Sequence, residues 1–239
     1  MNGYRVLPVF SADFKSSFIY FLIIITHHMF DEMVSEVKGF LMAPSETFKK
    51  TSGKSLGAVY QYYVALLVIF TVLFGIIAVS LGLATFTSMI NELAVIPVIG
   101  GVAAGAAANF SGFVIALGVF FVYLVFLFYL LGIFVQGLIL HAFVLLLGGT
   151  KGATQTIKTT MYASTPFLLL GWIPIVSSIA YIWSLVLLVI GIKENHQMSL
   201  GNAVLVVLIP IVLVIILIGL GSAVILAFMS ATAALLPKL

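Results

Sequence analysis

The sequence contains no cysteine, and charged residues make up only 7% of its 239 residues. Without cysteine, the chain has no means of forming a disulfide bond, a thiolate metal site, an iron–sulfur cluster or a cysteine nucleophile. A soluble domain is usually about 25% charged, so this chain has too few charges to cover a surface that faces water. Hydrophobic residues account for 63% of it instead. Lipid is therefore the expected solvent.

The hydrophobic residues occur in long runs rather than in an alternating pattern. Residues 204–220, for example, contain no charged or strongly polar side chain. A membrane-spanning barrel would need segments of ~10 residues that alternate in polarity, whereas a helix satisfies its own backbone hydrogen bonds within lipid. The sequence therefore predicts an all-α integral membrane protein.

Three runs are predicted to be transmembrane helices, at 60–84, 110–147 and 202–229. The stretch 93–109, which is rich in alanine and glycine and contains Pro97, is expected to be an extracytoplasmic loop or half-helix. Gly148 and Gly149 are expected to end the second helix, and residues 150–160 to form a cytoplasmic linker. Ser199 is the predicted N-cap of the last helix.

The segment 162–192 allows two interpretations, one tilted span or a hairpin of two short spans. It contains Pro166 and Pro174. Lysines before the first span and at 151–158 favour the cytoplasmic side for both regions. If Lys193 also lies on that side, the segment must enter the membrane and return, with its bend near 174–178. Charge alone leaves both interpretations open.

The chain before the first span divides into two parts. Residues 1–28 are expected to be a poorly ordered or doubtful start, with an interfacial anchor as the alternative, because their apolar patch at 18–26 is too short to span. Residues 29–57 are expected to form a cytoplasmic amphipathic helix and a basic linker, and Pro44 stops or restarts the helix. The predicted contacts with a partner or with lipid are Phe30, Met33, Val37, Pro44, Phe48, Lys49, Lys50 and Lys54. Residues 58–239 form the transmembrane domain.

The sequence offers little chemistry for catalysis. No carboxylate lies within a predicted span, although acid–base catalysis needs groups within hydrogen-bond reach of a substrate. There is no His-Glu-x-x-His motif and no phosphate-binding loop. A candidate polar cluster at the cytoplasmic side comprises His141, Lys193, Glu194 and His196. We predict no catalytic residue, cofactor or metal, and the placement of the basic residues argues against nucleic-acid binding.

Several short motifs resemble the Yip family of polytopic membrane proteins, which are named for interacting with Ypt/Rab GTPases. They are Pro44-Ser45-Glu46-Thr47-Phe48, Gly148-Gly149, Tyr162, Thr165-Pro166, Ile173-Pro174, Trp183, and Gly191-Ile192-Lys193-Glu194-Asn195-His196 followed by Ser199 to Ala203. The similarity extends over about 30–225 and is that of a prokaryotic-type member, since the Asp-Leu-Tyr-Gly-Pro-like stretch of the eukaryotic branch is absent. The resemblance implies five spans, a cytoplasmic N-terminus and an extracytoplasmic C-terminus, and it favours two short helices in 162–192.

These observations favour a non-enzymatic multi-pass protein of the cell membrane that organises membranes or acts as an adaptor, with a trafficking-type role implied by the resemblance. Its expected partners are membrane lipids, a membrane or cytosolic protein, or a second copy of the chain. The alternative is a small-solute transporter or channel built on helices broken at Pro166, Pro174 and Pro210.

Overall fold

The structure, a computed structural model, describes residues 30–96 and 100–235. Within these ranges every regular element is an α-helix. The helices are α1 (30–42), α2 (Pro44–Thr51), α3 (Leu56–Ala94), α4 (Gly100–Leu146), α5 (Ala153–Ala163), α6 (Thr165–Leu170), α7 (Val176–His196) and α8 (Leu200–Leu235). The predicted all-α class is confirmed. Residues 1–28 and Pro97 lie outside the described residues.

Within the described ranges, four helices are long and apolar enough to cross a bilayer, namely α3, α4, α7 and α8. Their outer surfaces carry large apolar side chains, such as Phe128, Ile218 and Phe228, which are 74%, 66% and 69% exposed. Exposed apolar surface of this extent is stable in hydrocarbon and not in water. The chain is therefore a multi-pass membrane protein.

Helices α3 and α4 form an antiparallel pair that approaches closely at two glycines. A Cβ atom on Gly75 would lie 3.1 Å from Val122 Cγ1, and one on Gly118 would lie 2.9 Å from Val79 Cγ2. Small residues allow such close contact between helices in lipid. The loop or half-helix predicted at 93–109 differs from the structure, because α4 already begins at Gly100. The alanines at 103–108 extend the helix, since alanine is the strongest helix former.

The segment 153–196 is a hairpin in which α5 and α6 run antiparallel to α7. Asn195 Nδ2 donates to Thr159 Oγ1 over 2.7 Å, and the backbone N–H of Phe167 donates to Ser184 Oγ over 3.1 Å. The chain reverses between Gly171 and Ile175, close to the bend predicted at 174–178. The structure therefore has a hairpin over 162–192, but only its second arm, α7, is among the four described helices that are long and apolar enough to cross a bilayer, one fewer than the five spans that the resemblance implied.

The linker predicted at 150–160 is wrong from Ala153 onward, where α5 begins. Residues 156–163 are all buried in the bundle. Polar side chains are tolerated there because Thr159 Oγ1 donates to the carbonyl of Gln155 and Thr160 Oγ1 to that of Thr156, over 2.8 and 2.9 Å. Hydroxyls that bond to carbonyls of their own helix in this way are easier to bury. The hydropathy of the residues does not show whether such bonds form, so it did not predict this buried helix.

The end of α4 and the start of α8 lie where the sequence predicted them. Gly148 has a φ of +89°, and the N–H of Gly149 donates to the carbonyl of Val144 over 2.8 Å, which ends α4 in the glycine-dependent way. Ser199 Oγ accepts the backbone N–H of Asn202 over 3.2 Å, so Ser199 caps α8. Pro210 lies inside α8 without ending it.

The buried core is concentrated at one end of the bundle. It is built from the first turns of α3 and α8, the last turns of α4 and the facing sides of α5 and α7, with Phe40 and Phe48 added from α1 and α2. At this end of the bundle lie α1, α2 and the polar residues around the helix connections. We call it the polar end and define it as residues 30–57, 141–160 and 193–202. The outer parts of α3, α4 and α8 extend away from it and are largely exposed.

Candidate functional site at the polar end

Helices α1 and α2 are held on the bundle by aromatic side chains. Phe40 and Phe48 are both fully buried, and their ring centroids lie 4.8 Å apart. The Phe40 ring is also 4.5 Å from that of Tyr162 on α5. Aromatic pairs of this kind contribute about 0.5–1.5 kcal/mol beyond the area they bury. The N-terminal helices are thus an integral layer of the fold.

A lysine at the end of the α2–α3 connection joins α1 to this layer. Lys54 Nζ donates to Glu32 Oε1 over 2.7 Å and also to the nearly buried carboxylate of Glu36. Partial burial alone would lower the pKa of Lys54, but the hydrogen bonds to Glu32 and Glu36 outweigh it and the pKa is raised above 10.5. The ammonium is therefore charged at neutral pH.

A second lysine, Lys158 on α5, satisfies backbone groups after α2. Its Nζ donates to the carbonyl oxygens of Ser52 and Lys54, each over 2.8 Å. These carbonyls belong to the turn between α2 and α3, where no helical hydrogen-bond ladder continues to satisfy them. Lys158 therefore fixes that turn to α5.

Glu194 near the end of α7 collects donors from α2 and from its own helix. Ser45 Oγ donates to its Oε1 over 2.6 Å, and Lys193 Nζ lies 3.0 Å from the same oxygen. Lys49 Nζ lies 3.3 Å from Oε2. Hydrogen bonds to a charged group are stronger than neutral ones, so Glu194 fastens α2 to α7.

Two histidines meet across a threonine at the same end. Thr156 Oγ1 lies 2.9 Å from His141 Nδ1 and 3.0 Å from His196 Nε2. One hydroxyl hydrogen serves one ring nitrogen, while the hydroxyl oxygen accepts from the other. His196 is 1% exposed, and its Nδ1 has no hydrogen-bond partner within the part of the chain that the structure describes. The arrangement is a buried polar connection between α4, α5 and α7.

The residues that were predicted to contact a partner or lipid fall into two groups. Phe48 is fully buried, Met33 and Val37 pack against the core, and Lys54 is engaged by two carboxylates. Phe30, Lys49 and Lys50 are exposed, and Pro44 at the start of α2 is half-buried. Of these eight residues, only the second group can meet a partner without rearrangement of α1 and α2, although Lys49 in that group also pairs with Glu194.

The structure brings together only part of the predicted polar cluster, and it places the three predicted helix-breaking prolines in different surroundings. His141 and His196 are brought together, while Lys193 and Glu194 belong to the neighbouring contact with α2. Pro166 is buried in the first turn of α6 and Pro174 lies exposed in the turn before α7. A proline in the first turn suits a helix start. Among the prolines of the described residues, Pro210 alone lies in the interior of a helix, and α8 continues through it, so the breaks predicted at Pro166 and Pro210 are wrong.

Sequence reasoning missed Glu36, Ser45, Thr156, Lys158 and Asn195 as members of this site. Each makes its contact with a residue far away in the chain, so spacing carried no signal. Lys158 gave a weak indication, because a lysine that is buried between two apolar segments must find hydrogen-bond acceptors for its ammonium. Among the described residues, no group of three or more His, Asp or Glu side chains is placed to hold a metal ion.

Comparison with known families gives one match. The family model described as the Yip1 domain matches residues 38–222. That range includes α2 to α7 and the first two thirds of α8, and hence most of the polar end. No curated protein and no solved structure matches the chain.

Proposed function

The chain belongs to the Yip1 domain family of multi-pass membrane proteins, and on that premise we propose that it is a non-enzymatic membrane-organising or adaptor protein with a trafficking-type role. In this proposal the polar end receives a membrane or cytosolic protein, and the apolar helices hold that end at the bilayer. The proposal assigns no catalytic step to the polar side chains described above.

The main support for the proposal is that α2 is fixed to α7 on its buried side, while charged side chains of α1 and α2 remain exposed. Phe48 and Ser45 hold α2 on α7, while Lys38, Glu46 and Lys50 remain exposed on α1 and α2. We call these three residues the displayed face. A surface that is already ordered loses less conformational entropy when a partner binds, which favours recognition.

The distribution of lysines supports a cytoplasmic position for this face. Lysines 38, 49, 50, 54, 151, 158 and 193 all belong to the polar end. Basic residues close to spans are enriched on the cytoplasmic side. The proposal therefore places the N-terminus inside the cell, the C-terminus outside it, and the chain in the cell membrane.

Charge reversal on the displayed face tests the proposal. The full chain would be purified by affinity from native membranes as wild type, as the double variant Lys38→Glu/Lys50→Glu, and as the control Lys38→Arg/Lys50→Arg. We expect a stoichiometric partner with the wild type and the control, and its loss with the double variant. Deletion of residues 29–57 is unsuitable, because it would remove Phe40 and Phe48 from the core.

Two results would refute this role. One is the absence of any stoichiometric partner in all three preparations. The other is equal recovery of a partner with the charge-reversed variant, since recognition would then lie elsewhere. Comparison of the unfolding temperatures of the three proteins ensures that a lost partner does not reflect a lost fold.

A further inference from the structure

We propose that a groove between α4, α7 and α8 binds an uncharged lipid whose polar group is a hydroxyl. The groove has a volume of about 760 Å³, and small-molecule sites typically have volumes of ~300–1,000 Å³. It follows α4 from Leu127 to Leu140, a length of ~20 Å at the helical rise. The chains of one bilayer leaflet extend over ~15 Å. A single lipid chain therefore fits along the groove.

A second pocket lies behind the groove and offers a place for the polar group of the ligand. It has a volume of about 270 Å³ and is more enclosed than the groove. Phe128, Gly132 and Gln136 line both spaces, so they form the wall between them. A Cβ atom added to Gly132 would meet nothing within 4 Å. The wall is therefore lowest at Gly132, where a hydroxyl group can pass but a helix of ~10 Å diameter cannot.

Gln136 is the polar side chain of this wall, and it needs a partner. It lies within the span-length part of α4, is exposed, and makes no hydrogen bond to any other described residue. An amide without a hydrogen bond is costly in hydrocarbon. Its oxygen accepts and its NH₂ group donates, and a hydroxyl can serve either one.

The position of Gln136 along α4 also suits a hydroxyl group. It precedes His141 of the polar end by five residues, which is ~8 Å along the helix. A lipid bound with its hydroxyl at Gln136 therefore keeps that group close to the head-group layer. Its chain then follows the groove towards Leu127, away from the polar end.

The linings favour an uncharged ligand. None of the described residues that line the groove or the pocket is charged. In the pocket, the Tyr63 hydroxyl donates to the carbonyl of Tyr129 and Ser164 Oγ donates to that of Thr160, each over 2.9 Å. Both hydroxyl oxygens are thus left as acceptors. An alcohol can donate to them, whereas a carboxylate would have no cation to pair with.

The first experiment uses native mass spectrometry of the full chain in nanodiscs that contain equal amounts of oleyl alcohol and oleyl methyl ether. The ether is the matched control, because its oxygen has no hydrogen to donate. We expect the alcohol to be retained about fivefold over the ether, which is the effect of one neutral hydrogen bond. Gln136→Leu should remove this preference. Gln61→Leu, at an exposed glutamine of α3 outside both linings, should preserve it.

The second experiment blocks the site and locates the ligand. Gly132→Leu fills the gap in the wall and should reduce the retention of the alcohol at least fivefold. Gly112→Leu is its control, since this glycine of α4 also has nothing within 4 Å of a Cβ but lies outside both linings. Oleyl alcohol that carries a photoreactive diazirine in its chain should label peptides from 127–140 and 207–215. Unfolding temperatures of all variants show whether a lost ligand reflects a lost fold.

This inference goes beyond the proposed function, and its tests need neither the displayed face nor a protein partner. Equal retention of the alcohol and the ether by the wild type overturns it, as does an equal loss of preference with Gln61→Leu. Labelling confined to other parts of the chain also overturns it. A dimer that Gly132→Leu disrupts, without any preference for the alcohol, would assign the groove to a second copy instead. If Gly132→Leu does not fold, the comparison of the wild type with Gln136→Leu still decides.

Discussion

Phe48 of α2 lies directly against the backbone of Gly191 in α7. A Cβ atom added to Gly191 would come within 2.6 Å of Phe48 Cζ, and Phe48 itself is fully buried. The glycine therefore provides the space in which the ring sits. This contact joins the N-terminal layer to the returning helix of the hairpin, and with it the displayed face to the membrane-spanning part of the chain.

Gly191→Ala should loosen α2. The methyl group would overlap with a ring that has no room to move, and overpacking of this kind costs about 1–3 kcal/mol. We expect a lower unfolding temperature in detergent and faster tryptic cleavage after Lys49 and Lys50. Gly201→Ala is the control, since nothing lies within 4 Å of a Cβ there. If both variants match the wild type, the described seat of Phe48 is wrong.

Lys54→Met should destabilise the attachment of α1. It leaves the carboxylate of Glu36, a residue with 9% exposure, without its ammonium partner. An unsatisfied buried group of this type costs about 1–3 kcal/mol. The unfolding temperature should therefore fall at neutral pH, and Lys50→Met, at an exposed site, should leave it unchanged.

The pH dependence of this difference is a separate prediction. Since the folded-state pKa of Lys54 is raised above 10.5, its contribution to stability is complete below that pH and is lost as the pH rises through the folded value. The gap in unfolding temperature between wild type and Lys54→Met should be constant near neutrality and shrink above pH 10.5. A gap that widens in alkaline buffer would contradict the ion pair.

Thr156→Val should break the connection between the two histidines. Valine keeps the shape of threonine but leaves His196 Nε2 without the hydroxyl at 3.0 Å. We expect a loss of about 1–3 kcal/mol in the free energy of unfolding. Thr156→Ser restores the hydroxyl and should recover most of the loss. Equal stability of the valine and serine variants would mean that the bridge contributes nothing.

Long apolar runs, with the glycine and serine residues between them, were sufficient to predict three of the four span-length helices in the described residues. The runs at 60–84 and 202–229 lie within α3 and α8, and the run at 110–147 ends one residue beyond α4. Gly148 follows the end of α4 and Ser199 caps the start of α8, as predicted. These features are local, so the sequence displays them directly. Helix α4 begins before its predicted run because the alanines at 103–108 favour helix. Helix α3 continues past its predicted end through Thr85 and Thr87, whose hydroxyls bond to carbonyls of their own helix.

The polar end was predictable only in part. His141 and His196 were recognised as candidates, but Thr156, which joins them, has no distinguishing local pattern. Phe48 was expected to contact a partner and is instead buried against Tyr162 and Gly191. An apolar residue on an amphipathic helix signals burial without indicating which surface provides it. Such pairings depend on contacts that are distant in sequence.

The most direct test is to determine from which side of the membrane a labelling reagent reaches the polar end. The chain has no cysteine, so single cysteines at Lys50, Lys151, Gln197 and Ile175 can each be labelled alone with a membrane-impermeant thiol reagent in sealed vesicles. The first three should react from one side, and Ile175, which is 87% exposed in the turn before α7, from the other. Labelling of Lys151→Cys and Gln197→Cys from opposite sides would contradict the returning hairpin, and with it the polar end.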